Sequence, residues 1–297
     1  MEFRQLETFC TIVKTGSFTQ AADLLGYAQS SITTQIKMLE TELGTKLFER
    51  LGRRVILTKQ GAEFLTYAKK IIHLAQEAKD AVSDSLVPKG TLIIGAPDSL
   101  CAIRLPKMLR EYRMRYPQVE IVLKTGTCSD FRRWLNNNTV DIAFFLDRKL
   151  NYPELISNVL YTEPMVIISS PDHPLVSKGK IQPADLHNQY LILSEQGCSY
   201  RAILDQMLID AHVRPGHILE LGSIAAIKQC AINGLGITLL SKTAVTEELT
   251  SGDLADLNWN GPDFAVLNQV AYHKDKWLSP AISAFLQLAY ESIQKNS

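Results

Sequence analysis

At 297 residues the chain is long enough for two or three domains, and a hydrophobic fraction of 46% suits globular cores. Basic and acidic residues balance at 31 each, which excludes a chain that grips polyanions through bulk charge; residues 1–60 hold 8 Lys plus Arg against 6 Asp plus Glu. No leader pattern opens the sequence, no apolar run is long enough to cross a bilayer, and the five cysteines lack CxxC or His spacing, so a cytoplasmic protein with free thiols is expected.

In chain order, the first informative stretch is Ser17 to Leu39. Phe18, Ala21, Ala22, Leu24 and Leu25 share one face of a predicted helix, with Ser17 and Gln20 placed as a capping box and Gly26 as a stop. After the turn, Ile32, Ile36 and Leu39 recur at helical spacing while Gln29, Ser30, Thr33, Thr34 and Lys37 stay polar. Small residues let the helices approach closely, and short polar side chains can reach base edges or phosphates. An ordinary helical hairpin with a solvated face has the same pattern. The next segment adds Arg50, Arg53 and Arg54 around Gly52, then the β-rich Val55 to Thr58, which reads as a wing able to hold phosphates or enter a minor groove.

From Lys59 to about Ser85 one long helix is predicted, with Phe64, Ala68, Ile71, Ile72, Ala75, Ala78 and Val82 as its apolar stripe. A small winged domain cannot hide so long a stripe, so pairing with a second copy is expected. Pro88, Lys89 and Gly90 mark a boundary. Beyond it, six short apolar runs (TLIIGAP, VEIVLKTG, VDIAFFLD, EPMVIISS, YLILSE and GITLLSK) alternate with amphipathic segments, which argues for α/β sheets that bind ligands at the carboxyl ends of their strands. Polar residues collect at those ends: Asp98 and Ser99, then Gly126, Thr127 and Cys128, then Cys198, Ser199, Tyr200 and Arg201, and Ser223. Several are helix starts, where free N–H groups and the dipole favour an anion, so a small anionic effector is expected, with Arg201 its foremost contact. Cys128 and Cys198, placed in predicted loops, leave room for a redox or ligand role.

An enzyme would need a nucleophile and base, a metal set or a cofactor loop. His73, His173, His187, His212, His217 and His273 show no metal-ligand spacing, and the GLG at Gly234 to Gly236 ends a helix instead of opening one after a strand. No catalytic, metal or cofactor site is expected.

Leu6, Phe9, Gly16, Ser17, Phe18, Ala21, Ala22, Leu24, Leu25, Gln29, Ser30, Gln35, Ile36, Leu39, Glu40, Leu43, Gly44, Leu47, Phe48, Arg50, Leu57, Thr58 and Gly61 stand at the spacing of the LysR-type transcriptional regulators, which the chain resembles along its full length. The resemblance implies an α/β protein in three parts: a winged helix-turn-helix (1–58), a dimerising linker helix (59–88) and an effector domain (89–297). That last part is similar to periplasmic solute-binding proteins, with subdomain I at 89–161 and 267–297, subdomain II at 162–266, and crossovers near Thr162 and Leu267. By the same resemblance Gln29, Ser30, Thr33 and Thr34 face the major groove, Lys37 and Ser31 the backbone, and Arg50, Arg53 and Arg54 form the wing contacts. The implied partners are double-stranded promoter DNA with inverted-repeat half-sites, a small-molecule effector, further copies of the chain as a dimer or tetramer, and RNA polymerase. Three positions depart from the family pattern. Ala28 replaces the usual Ser or Thr cap, a change worth about 1 kcal/mol; Thr34 stands where Arg is common; and Ser241 replaces a Pro, so a freer strand end is expected there.

Overall fold

The computed structural model describes residues 1–51, 54–81 and 87–294, and the chain forms two compact units, Met1–Asp84 and Ser85–Ser297. In the first unit, α1 (Phe3–Thr15), α2 (Phe18–Leu25) and α3 (Gln29–Leu43) precede an antiparallel hairpin of β1 (Phe48–Leu51) and β2 (Arg54–Leu57), followed by α4 (Lys59–Ala81). Leu6, Phe9, Ile12, Ala21, Ala22, Ile32, Ile36 and Leu39 are buried together, each worth up to about 2 kcal/mol of transfer free energy. Ser17 accepts from the Gln20 amide at 3.4 Å, the forward half of the predicted box, and Gly26 closes α2 at φ 69°.

Two contacts that the apolar pattern does not reveal hold the hairpin in place. The buried carboxylate of Glu40 accepts from Leu47 N at 2.9 Å and from Lys46 Nζ at 2.7 Å, joining the end of α3 to the start of the wing. Gly61 lets α4 pass against the chain before β1: a Cβ there would stand 2.0 Å from the Leu47 carbonyl oxygen. Only glycine fits.

The stripe of α4 divides between two faces. Phe64, Leu65, Ala68 and Ile72 pack into the unit's own core, whereas Tyr67, Ile71, Leu74 and Ala78 are exposed at spacings of four, three and four. The winged unit therefore hides more of the helix than the sequence suggested, and the exposed row keeps Ile71 and Ala78 of the expected stripe and adds Tyr67 and Leu74. Val82 lies outside the described residues.

Among the described residues the second unit carries three sheets, two of them joined by a single bridge. The first contains β3 (Gly90–Ala96), β4 (Val119–Thr125), β5 (Ile142–Asp147), β6 (Leu155–Thr162) and β12 (Leu267–His273), in the order β4-β3-β5-β12-β6. β3 is parallel to β4 and β5, and β12 runs antiparallel to β5 and β6. Its helices are α5 (Asp98–Ile103), α6 (Leu105–Arg115), α7 (Cys128–Asn136) and α11 (Pro280–Gln294). The chain leaves this sheet after Thr162 for β7 (Met165–Ser169), then β8 (Tyr190–Ser194), α8 (Ser199–Asp210), β9 (His217–Leu221), α9 (Ile224–Ile232), β10 (Thr238–Ser241), α10 (Thr246–Ser251) and β11 (Ala255–Asp256). β10 and β11 flank β7, β8 pairs with β9 in parallel, and a bridge from Leu191 to Ile237 links the two pieces. On return, Phe285 of α11 meets Tyr112 at 5.1 Å and Phe144 at 6.3 Å, sealing the first lobe. The two crossovers touch through Glu163 N to Val266 O at 2.8 Å.

β6, β9 and β12 are strands that the apolar pattern did not announce. β12 buries Asn268 and Gln269, which interrupt its hydrophobic run, and all but the last residue of β9 is exposed. The buried pair of Lys276 and Asp141 at 2.7 Å, with Asp141 accepting from Ile93 N at 2.7 Å, fastens β3 to the segment after β12. Ser241 is not freer for lacking the proline ring. It is buried and donates its hydroxyl to the Glu163 carboxylate.

Candidate functional site

The second helix of the hairpin, α3, has one buried face of Ile32, Ile36 and Leu39. Gln29, Ser30, Ser31, Thr34 and Lys37 are exposed and Thr33 is half-buried. Ala28 provides no side-chain cap, as its methyl dictates. The hydroxyls of Thr33 and Thr34 donate back to the carbonyls of Gln29 and Ser30, both at 2.9 Å. Outward, each threonine then offers an acceptor oxygen and a methyl group, chemistry suited to a base amino group or a thymine methyl. Gln35 is turned inward to accept from Thr8 at 2.6 Å, so that position sets the crossing of α1 and α3. Arg53 lies outside the described residues, and for Arg50 and Arg54 only the backbone, on β1 and β2, is described.

In the second unit, a cleft of about 180 Å³ lies between the lobes. It is bounded by Pro97, Asp98 and Ser99, by Thr125 to Cys128, by Ser194, Glu195, Cys198 and Tyr200, and by Gly222 and Ile224. Asp98, Ser99, Gly126, Thr127, Cys128, Cys198 and Tyr200 of the expected set are brought together there. Gly222, expected beside Ser223, borders it too, and Glu195 and Ser194 join unforeseen, since only the fold brings the end of β8 opposite β3 and β4. Gly126 is needed for close approach, because a Cβ would meet the Trp134 ring at 2.7 Å. Hydrogen bonds cross between the lobes beside the cleft: Ile224 N donates to Asp98 Oδ2 at 3.2 Å, and Ser199 Oγ donates to Asp147 Oδ2 at 2.7 Å. The first puts a carboxylate of the chain itself on the N-terminus of α9.

Three expected contacts lie elsewhere. Arg201 is buried and turned to Glu220 (2.5 Å), Asp205 (3.3 Å) and the Ser194 carbonyl (2.5 Å), so its Nε and Nη1 are already engaged by the chain. Hydrogen bonds and charge from Glu220 and Asp205 outweigh its burial and raise its pKa further. Ser199 is committed to Asp147, and Ser223 does not border the cleft although its neighbours do. Among the described residues no Lys, Arg or His lines it, and any anion would rest on backbone N–H groups and hydroxyls. Cys128 opens α7 instead of standing in a loop, whereas Cys198 stands in the loop just before α8, without a side-chain cap; burial pushes the Cys128 thiol up to about 12 and raises Cys198 as well. Both present neutral thiols, the opposite of a reactive thiolate. Among the described residues no group of His, Cys, Asp or Glu could hold a metal ion, and no helix is long and apolar enough to cross a membrane.

Comparison with known proteins fits this arrangement. The family model of the bacterial regulatory helix-turn-helix protein, lysR family, matches residues 3–62, and that of the LysR substrate binding domain matches 86–294. The chain is 41% identical to the uncharacterized HTH-type transcriptional regulator YwqM of Bacillus subtilis over 99% of this chain and 100% of that one. It is 34% identical to the regulator GltR of the same organism, over 96% and 95%. Full-length CbnR, a LysR family regulator crystallised with its target DNA, superposes with a TM-score of 0.70 at 22% identity, over 98% of this chain and 100% of that one. The regulatory domain of Synechocystis CcmR, in complex with 2-PG, gives 0.63 at 26% identity over 69% and 98%. A winged helix-turn-helix and a two-lobed cleft, matched by relatives that align from end to end, make this chain a member of the LysR family of transcriptional regulators.

Proposed function

We propose that the chain binds promoter DNA as a two-fold dimer and changes its grip when a small molecule enters the cleft. The observation that carries this reading is the polar, exposed face of α3 set on a fully buried one, with the wing beside it. Gln29, Ser30, Thr33 and Thr34 read bases, Ser31 and Lys37 hold phosphates, and Arg50, Arg53 and Arg54 extend the footprint along the wing. That CbnR, which shares this fold, is complexed with its target DNA supports DNA binding by such a chain. The exposed row Tyr67, Ile71, Leu74 and Ala78 is the linker's dimer seam, within a division of 1–58, 59–88 and 89–297. Met114 on α6, Ile209 on α8 and Ile218 on β9 are exposed apolar residues of the second unit, a further surface for pairing dimers into a tetramer.

The cleft takes the effector between subdomain I (89–161 and 267–297) and subdomain II (162–266), as 2-PG bound to CcmR's regulatory domain supports. A ligand that prefers one lobe spacing shifts the equilibrium by its differential affinity, and the bonds Asp98–Ile224 and Ser199–Asp147 are the contacts it must keep or break. The chain acts by binding, without catalysis, in the cytoplasm, with RNA polymerase as the machine it influences. Nuclease footprinting of the DNA upstream of its own gene tests the reading: two protected half-sites about one helical turn apart, lost in Gln29→Ala/Thr34→Ala, are expected. Protection unchanged by that double substitution would overturn it.

A further inference from the structure

Among the described residues two carboxylates, Asp98 and Glu195, line the cleft and no basic side chain does. Asp98 belongs to subdomain I and Glu195 to subdomain II, so the acids border the space from opposite lobes. Both come to one short turn: Ile224 N donates to Asp98 Oδ2 at 3.2 Å, and a Glu195 carboxylate oxygen lies 3.5 Å from where a Cβ on Gly222 would stand. Asp98 is half-buried and Glu195 exposed, and neither has a cationic partner among the described residues. Basic groups beside the lining are committed elsewhere: Arg104 faces Glu163, Arg133 pairs with Asp130, and Arg201 with Glu220 and Asp205. Arg148, two positions past Leu146, is exposed and outside the lining. The helix starts that would suit an anion are partly taken by the chain's own acids. Asp98 occupies that of α9, and at α7 the Thr127 amide donates to Asp130 Oδ2 at 3.1 Å.

We infer that the effector is a small organic ammonium ion, an aliphatic amine held between Asp98 and Glu195, which rests on the cleft being the effector site and reverses the anion expected from its helix starts. An ammonium brings three N–H donors and no acceptor, the complement of carboxylates with lone pairs to spare. A cleft walled by one sign of charge also concentrates the opposite ion. Pro97, Leu146 and Ile224 offer apolar contact to a short stem. A volume of about 180 Å³ admits a chain of about six heavy atoms. The same two acids supply the coupling. Like charges on opposite lobes repel, whereas a cation between them draws the lobes together and an anion cannot. The amine therefore favours the closer spacing, the differential affinity that a switch requires.

Calorimetric titration of the full-length protein tests this with the terminal diamine of butane, the matching diol and succinate, three probes of equal length that differ in end charge. Saturable binding of the diamine is expected, with the diol and succinate at least about tenfold weaker. Glu195→Gln, at an exposed position, should weaken the diamine by about fivefold or more, and Glu195→Lys should reverse the order so that succinate binds best. Gly222→Leu, whose Cβ has ordinary room, covers the Glu195 carboxylate and should weaken the diamine as much as Glu195→Gln does. No saturable diamine binding, or diamine binding that survives all three substitutions, would overturn the proposal. Succinate or the diol binding as tightly as the diamine, and lost in Gly222→Leu, would overturn the amine while upholding the cleft as the effector site. Tight binding of any probe that all three substitutions leave untouched would count against the cleft itself.

Discussion

The two units place their working residues in opposite ways. In Met1–Asp84 the polar face lies on one continuous helix, and its orientation follows from Ile32, Ile36 and Leu39 being buried beneath it. In Ser85–Ser297 the cleft is assembled from the ends of β3, β4 and β8 and the starts of α5, α7, α8 and α9, residues more than a hundred positions apart in sequence. A surface on one helix inherits the precision of local geometry, whereas a cleft between lobes inherits that of long-range contacts such as Ile224 N to Asp98. The lesson is that a polar residue at a helix start faces a ligand only if the fold has not already given it a partner.

The sharpest way to separate the units is Gly61→Val. Its Cβ would collide with backbone, so we expect a loss of about 3 kcal/mol or more in the first unit, with the second unit's unfolding transition unchanged in calorimetry. A single transition shifted as a whole would show that the units do not unfold independently. Next, Arg201→Ala should destabilise the second unit by about 2 kcal/mol, less than a fully buried pair because Glu220 and Asp205 are half exposed. Urea denaturation measures this, and an effector affinity that drops with no change in stability would instead return Arg201 to the cleft.

The thiols give a pH test. The raised Cys128 pKa means that the fold favours the neutral thiol, so its contribution is complete below the ordinary value of 9.0 and is lost as pH rises towards about 12. Alkylation by iodoacetamide at pH 8 should be more than about tenfold slower at Cys128 than in the unfolded chain, read by peptide mass spectrometry. Equal rates would mean an open, ionised thiol at the cleft.

On the helix, effects should be smaller and divide by role. Lys37→Ala should weaken binding by about 1 kcal/mol on all sequences and lower the salt slope by about one, whereas Thr33→Ala should relax preference at one base pair. Since Thr33 donates internally, Thr33→Val should keep its methyl contact and lose less discrimination in a competition assay than Thr33→Ala. On stability, Ala28→Ser should add about 1 kcal/mol to the first unit by capping α3, seen as a raised Tm of that transition.

Where sequence and structure part, the reason is burial of polar groups. Glu40, Thr8, Asp141 and Asn268 are hydrophilic in sequence yet fill interior positions, because each meets a specific backbone or side-chain partner. Hydrophobic periodicity cannot announce such residues, and it lost β12 where Asn268 and Gln269 interrupt the run. Arg201 shows the converse. Its place beside a helix start is visible in the sequence, as is Asp205 one helical turn on, but its partner Glu220 becomes a neighbour only when β9 lies alongside β8.

The chain's own order of residues determined the elements that local rules govern: the three N-terminal helices with their glycine stops, the uncapped start at Ala28, the polar face of α3, and the alternation of strands and helices beyond Gly90. Tertiary structure alone decided which face of α4 stays exposed, which strand ends meet in the cleft, that Arg201 turns away from it, and that Ser241 is tied to Glu163. Helical spacing and caps act over a few residues and are written in adjacent letters. Partner choice among buried polar groups depends on which long-range contacts close, and no window of sequence contains both members of the pair.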